Sequence, residues 1–60
     1  MKLAEWLAVK RMTVEEFGRL TALSLPTIYK ALNDKKIARM SAYRIKVCTD
    51  SHVDIENMYK

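Results

Sequence analysis

Sixty residues with a net charge of +4 at pH 7 bound what this chain can be. The length allows one domain, spanning residues 1–60, and a chain this short buries only about 60% of its unfolded surface. Half of the residues are apolar and there is one Gly, one Pro and one Cys, which excludes a disordered tail, a sheet-rich fold with many tight turns and an internal disulfide.

Met1 to Lys10 reads as a first helix, with Leu3, Trp6, Leu7 and Lys10 along one side. Trp6 is the largest apolar surface in the chain and belongs in the core. Leu3 to Val9 is interrupted by Glu5 and ends in Lys10-Arg11, too short and too charged for a membrane span or a signal peptide. A cytoplasmic setting is expected.

Arg11-Met12 turns into a second helix. Thr13 caps it, and Glu16 three residues later completes a capping box, with Met12 and Phe17 at the staple positions. Val14, Phe17 and Leu20/Thr21 form its apolar stripe. Ala22-Leu23 makes a corner. Ser24 then caps a third helix with Pro26 in its first turn, and Leu23 with Ile28 offers a second staple. Ile28, Ala31 and Leu32 face inward, which leaves Thr27, Tyr29, Lys30 and Asn33 pointing out. Hydroxyls, an amide and a cation on one short helix suit base edges and phosphates, and a major groove is wide enough to admit one helix. The plainer alternative is a two-helix corner with a solvated polar face.

Asn33 to Arg39 is the exit loop, with Ile37 plugging back onto the core. Lys30, Lys35, Lys36, Arg39, Arg44 and Lys46 fall within seventeen residues, a basic block that suits a polyanionic partner. Ser41 to Thr49 has two readings. As a helix it starts at Ser41 with a Met40/Ile45 staple and turns Ala42, Ile45 and Cys48/Thr49 inward. As a strand it alternates Tyr43, Ile45 and Val47 against Arg44 and Lys46, and Val53 with Ile55 returns across a turn at Asp50-Ser51-His52. That turn lacks Gly, so the hairpin signal is incomplete and the helix is favoured.

No catalytic or metal-binding set is visible. His52 and Cys48 are each alone of their kind, too few for a zinc site, and no third group orients a Cys–His pair. One Gly cannot build a phosphate-cradling loop. No enzyme activity, cofactor, metal or small-molecule ligand is expected.

The segment TVEEFGRLTALSLPTIYKALN, residues 13–33, resembles the helix-turn-helix of the lambda-repressor/Cro family of phage and bacterial regulators. Gly18 stands at the small mid-helix position, Ala22 at the corner where Gly is usual, Leu23 and Ser24 follow, and Ile28 fills the inward branched position. The resemblance implies an all-α, compact five-helix lambda-repressor-like domain, with residues 54–59 as a short last helix. The alternative within the family is the α+β Cro fold, whose C-terminal β-hairpin dimerises. It further implies a DNA-binding transcriptional repressor, with recognition helix Leu25–Leu32 in the major groove. By position in the family's motif, Ser24, Leu25, Pro26, Thr27, Tyr29, Lys30 and Asn33 face the groove, and Thr13, Lys35, Lys36 and Arg39 hold phosphates. The expected partner is a pseudo-palindromic double-stranded operator bound by a homodimer. Tyr43, Val47, Val53, Ile55, Met58 and Tyr59 are candidates for the dimer surface, or for closing the core. The alternative functions are an excisionase-like or architectural DNA-binding factor, and a helical protein-interaction module such as an antitoxin.

Overall fold

Five α-helices and no strand make up the computed structural model, which describes residues 1–60: α1 Leu3–Lys10, α2 Val14–Thr21, α3 Leu25–Leu32, α4 Arg39–Cys48 and α5 Glu56–Tyr59. The chain is all-α. Leu3, Trp6 and Leu7 put the inner side of α1 on the core, where the edge of Trp6 meets Phe17 at 5.6 Å between ring centroids. The Lys10 ammonium lies over the Trp6 ring, 5.9 Å from its centroid, within reach of a cation–π attraction. Met1 and Lys2 precede the helix, and the Met1 carbonyl accepts from the Asp54 N–H at 3.1 Å.

The capping box at α2 is complete. The Glu16 N–H donates to Thr13 Oγ1 at 3.1 Å and the Thr13 N–H to Glu16 Oε1 at 3.0 Å. Phe17 is fully buried and Thr21 nearly so, while Leu20 is 52% exposed; of the two residues that the stripe offered there, Thr21 faces inward. Its hydroxyl is satisfied by the Phe17 carbonyl at 2.8 Å, the back-bond that lets Thr enter a core. In α3, Ile28 and Ala31 are buried and Leu32 is half-buried.

Four of the five helices stop in the left-handed region without a glycine. Arg11, Ala22, Asp34 and Asp50 have φ of 53°, 60°, 58° and 51°. Three of these exits close the same way. Met12, Lys35 and Ser51 donate their N–H to the carbonyls of Leu7, Lys30 and Lys46 at 3.0, 2.8 and 2.8 Å, the six-to-one bond that satisfies an orphan carbonyl at a helix end. Arg11 and Ala22 bear the cost of this conformation without the local hydrogen-bonding side chain that Asp has.

The C-terminal third is helical, as favoured from the sequence, and corrects the expected start of that helix. The fourth helix starts at Arg39 with Ala38 as its cap residue, so Ser41 lies inside it. Met40 is 74% exposed and makes no staple with Ile45, because a staple needs its first residue outside the helix. The start is set by Ile37, whose N–H donates to the Met58 carbonyl at 2.7 Å while its side chain packs on the core. The hairpin alternative also fails. A strand would put Tyr43, Ile45 and Val47 on one side, whereas the helix buries Ile45 with Ala42 and Thr49 and turns Tyr43 and Val47 out. Val53, Ile55 and Met58 seal the core from the short segment that follows.

Two stability experiments follow from the helix ends. Ala22→Gly relieves the left-handed methyl and raises stability by about 0.5–1 kcal/mol, read as a rise of several degrees in Tm. An unchanged or lower Tm would mean that the corner carries no strain. The capping-box hydrogen bonds from Thr13 hold the Glu16 carboxyl below its ordinary value of 4.5. A depressed folded value gives stability that is present above the unfolded pKa and lost as pH falls through the folded one. Between pH 5 and pH 3 Glu16→Gln, which keeps the reciprocal bond, therefore loses less of its Tm than the wild type loses. Parallel acid profiles would show that the ionised carboxylate contributes nothing.

Candidate nucleic-acid interface

The face that α3 presents depends on how closely α2 approaches behind it. Gly18 is buried at that crossing. A methyl group on it would lie 3.3 Å from Ile28 Cδ1, 3.3 Å from the Leu23 carbonyl oxygen and 3.4 Å from Leu25 Cδ2. These are tight distances, and one of them is to backbone, so the missing side chain lets the corner fold flat against α2. With Ile28 and Ala31 locked inward, Leu25, Tyr29 and Asn33 form one outward row at four-residue spacing, and Pro26 with Lys30 forms the next.

Leu25 is 38% and Tyr29 50% exposed; Ser24, Pro26, Lys30 and Asn33 are exposed as well. Thr27 differs from expectation. It is half-buried, and its Oγ1 is paired with Ser24 Oγ at 2.9 Å. Ser24 sits at the cap position but makes no side-chain bond to the backbone, because its hydroxyl is turned to Thr27. The pair braces the corner, and Thr27 is the one residue of the proposed groove-facing set held back from the surface.

The basic block divides once folded. Lys30, Lys35 and Lys36 remain together at the end of α3. Lys36 Nζ reaches only the Asn57 carbonyl, at 3.5 Å. The two ion pairs of the molecule are the Met1 amine with Asp54 and Lys60 with Glu56, so Lys30, Lys35 and Lys36 form none. Arg39 is not a loop residue: it opens α4, and its guanidinium lies 5.5 Å from the Tyr59 ring centroid. Thr13 is exposed, but its N–H and hydroxyl both serve the capping box beside Glu15 and Glu16, a poor setting for a phosphate.

Arg44 is the residue whose role sequence spacing did not reveal. Its Nη1 donates to the Thr21 carbonyl at 3.2 Å, and Cys48 Sγ, one turn on, approaches the Leu20 carbonyl at 3.8 Å. Together they cap the C-terminus of α2, where the aligned peptide dipoles leave partial negative charge. The four-residue spacing of Arg44 and Cys48 was the available signal, masked by the strand-like alternation of the same segment. Cys48 is accordingly half-buried. His52 is exposed and uses Nδ1 on the Thr49 carbonyl at 2.8 Å.

The candidates for a dimer surface separate into two groups. Val53, Ile55 and Met58 are 2%, 5% and 8% exposed; they close the core and offer nothing to a partner. Tyr43 and Val47 are exposed, and Tyr59 is half-buried with its ring 5.9 Å from Tyr43. The Tyr43 hydroxyl beside it, followed by partial burial, holds the Tyr59 phenol above its ordinary value of 10.0.

No helix is long and apolar enough to cross a membrane. Comparison of the chain with known protein families, with curated proteins and with solved structures gives no match.

Arg44→Met keeps the aliphatic stem and removes the donor to α2. It should lower stability by about 1–2 kcal/mol, measured as the shift in the urea midpoint at constant slope. A midpoint unmoved within error would mean that water replaces the guanidinium at the Thr21 carbonyl without loss.

Proposed function

We propose that this chain is a sequence-specific, double-stranded DNA-binding protein of the helix-turn-helix type, acting as a small transcriptional repressor of the lambda-repressor/Cro kind. One observation carries the reading. On α3 a row of Leu25, Tyr29 and Asn33 and a row of Pro26 and Lys30 stand clear of the core, directly beside two more lysines at the helix exit. A helix so held from behind can lie in a major groove as a rigid body.

The roles divide by chemistry. Lys30 donates to a guanine edge, and Asn33 pairs with adenine or holds a phosphate. Leu25 and the Tyr29 ring supply apolar contact to thymine methyls. Lys35 and Lys36 neutralise phosphates and set register without reading sequence. Thr13 drops out of the phosphate set because its N–H and hydroxyl serve the capping box, Arg39 stays in it, exposed at the start of α4, and Thr27 acts through the corner. Repression needs no bond-making, since an occupied operator excludes polymerase. One domain of this size reads a few base pairs, so a working site consists of two half-sites about one helical turn apart.

A protein-interaction module is the second reading, favoured by the apolar side chains that α4 leaves in solvent. Salt separates the two. Neutralising phosphates releases counterions, so DNA affinity falls steeply with salt, and apolar docking does not.

Selection from a random duplex pool tests the proposal. A palindromic motif with half-sites one turn apart supports it; no retained duplex at near-physiological salt removes it. On the selected site, Lys30→Ala should cost about 1–3 kcal/mol of discrimination at one base pair. Lys35→Ala should weaken all duplexes evenly and lower the salt slope by about one. Uniform loss from Lys30→Ala would reassign that lysine to the backbone.

A further inference from the structure

The chain that leaves α3 and opens α4 is fastened to α5 at three successive points. Lys36 Nζ reaches the Asn57 carbonyl at 3.5 Å. The Ile37 N–H donates to the Met58 carbonyl at 2.7 Å. The Arg39 guanidinium lies 5.5 Å from the Tyr59 ring centroid. Two of the fastened side chains, Lys36 and Arg39, belong to the phosphate set. The Tyr59 ring is itself held: Tyr43, one turn beyond Arg39 on α4, lies 5.9 Å from it between ring centroids. Tyr59 is accordingly half-buried, whereas Arg39 is exposed.

We infer that Tyr59 is the positioning residue for Arg39, holding its guanidinium where it meets a DNA phosphate; the inference rests on the DNA-binding function proposed above. An exposed arginine is rich in rotamers, and immobilising it on binding costs side-chain entropy. A contact that orders it beforehand removes part of that cost. The kind of contact matters. A tyrosine ring attracts a guanidinium through its quadrupole and carries no net charge, so Arg39 is ordered while its positive charge stays free for a phosphate. A carboxylate in the same place would order the side chain and neutralise it. The one carboxylate on α5, Glu56, pairs with Lys60 at 3.8 Å instead, and Arg39 forms no ion pair. Arg44 shows the contrast, since its donor is already engaged by the Thr21 carbonyl.

The backbone supports the same assignment. The bond from Ile37 to Met58 fixes the chain between Lys36 and Arg39, so both cations leave it from set origins. The last helix, which touches no residue of α3's outward rows, thereby governs how the chain beyond α3 presents charge.

The test measures binding of the full chain to the selected duplex at fixed salt and across a salt series. Arg39→Ala should weaken all duplexes evenly and lower the salt slope by about one. Tyr59→Leu should weaken binding about two- to tenfold with base preference unchanged, and Tyr59→Phe, which keeps a ring, should bind as the wild type does. In the Arg39→Ala background Tyr59→Leu should cost nothing further. A role of Tyr59 in the fold alone would give the same loss in both backgrounds, and that result overturns the inference. So does a Tyr59→Phe as weak as Tyr59→Leu, which would assign the effect to the hydroxyl. Pentafluorophenylalanine at position 59 keeps the ring's shape and reverses its quadrupole, so it decides the matter if Tyr59→Leu folds poorly: affinity should fall, and wild-type affinity overturns the positioning. An Arg39→Ala variant with unaltered affinity and salt slope also overturns it, while DNA recognition by the wild type stands. A wild type that retains no duplex sinks the proposed function, and the inference with it.

Discussion

The close passage of α2 behind α3 at Gly18 is the constraint on which the rest of the molecule depends. A side chain there would push against the Ile28 methyl and the Leu23 carbonyl, and the carbonyl cannot move without opening the corner. A helix-interior glycine costs about 1 kcal/mol relative to alanine. Here that cost is offset by contact, because Ile28 can then bury completely and Phe17 can lie beneath it in the same core. Everything that α3 exposes is fixed by Ile28 and Ala31 being unable to face anywhere else.

A domain with one glycine must still turn at the end of every helix. It does so with Arg, Ala and Asp residues in left-handed conformations, each held by bonds from the following residues or by tertiary contact. Ala22 has the least local help, and α4 supplies it from a distance through Arg44 on the Thr21 carbonyl. The corner is thereby coupled to the C-terminal third. A small protein whose core is eleven residues gains from such bonds, since each stabilises a turn that local sequence leaves marginal.

Charge follows the same division between local and distant causes. Glu15 and Glu16 gather at the N-terminus of α2 and Arg44 reaches its C-terminus, an arrangement that complements the peptide dipole. At the exit of α3, Lys30, Lys35 and Lys36 form no ion pair. The positive charge left unpaired there is narrower than the net charge implies, and it coincides with the helix whose outward rows, Leu25, Tyr29 and Asn33 with Pro26 and Lys30, are exposed.

Sequence by itself determined the local events: the capping box at Thr13 and Glu16, the corner at Ala22-Leu23, and the inward set of Ile28 and Ala31. These depend on neighbours within four or five positions, so spacing and side-chain chemistry are enough to read them. The tertiary structure alone decided the rest. Residues 39–59 form helix, turn and short helix because Ile37 is anchored to the Met58 carbonyl and Ile45 must reach the core, long-range facts that no alternation pattern contains. The same long-range packing drew Val53, Ile55 and Met58 inward, turned Tyr43 and Val47 outward, and assigned Arg39 and Arg44 to Tyr59 and Thr21. A period of two and a period of 3.6 can share one short run of residues, and only the shape of the remaining core chooses between them.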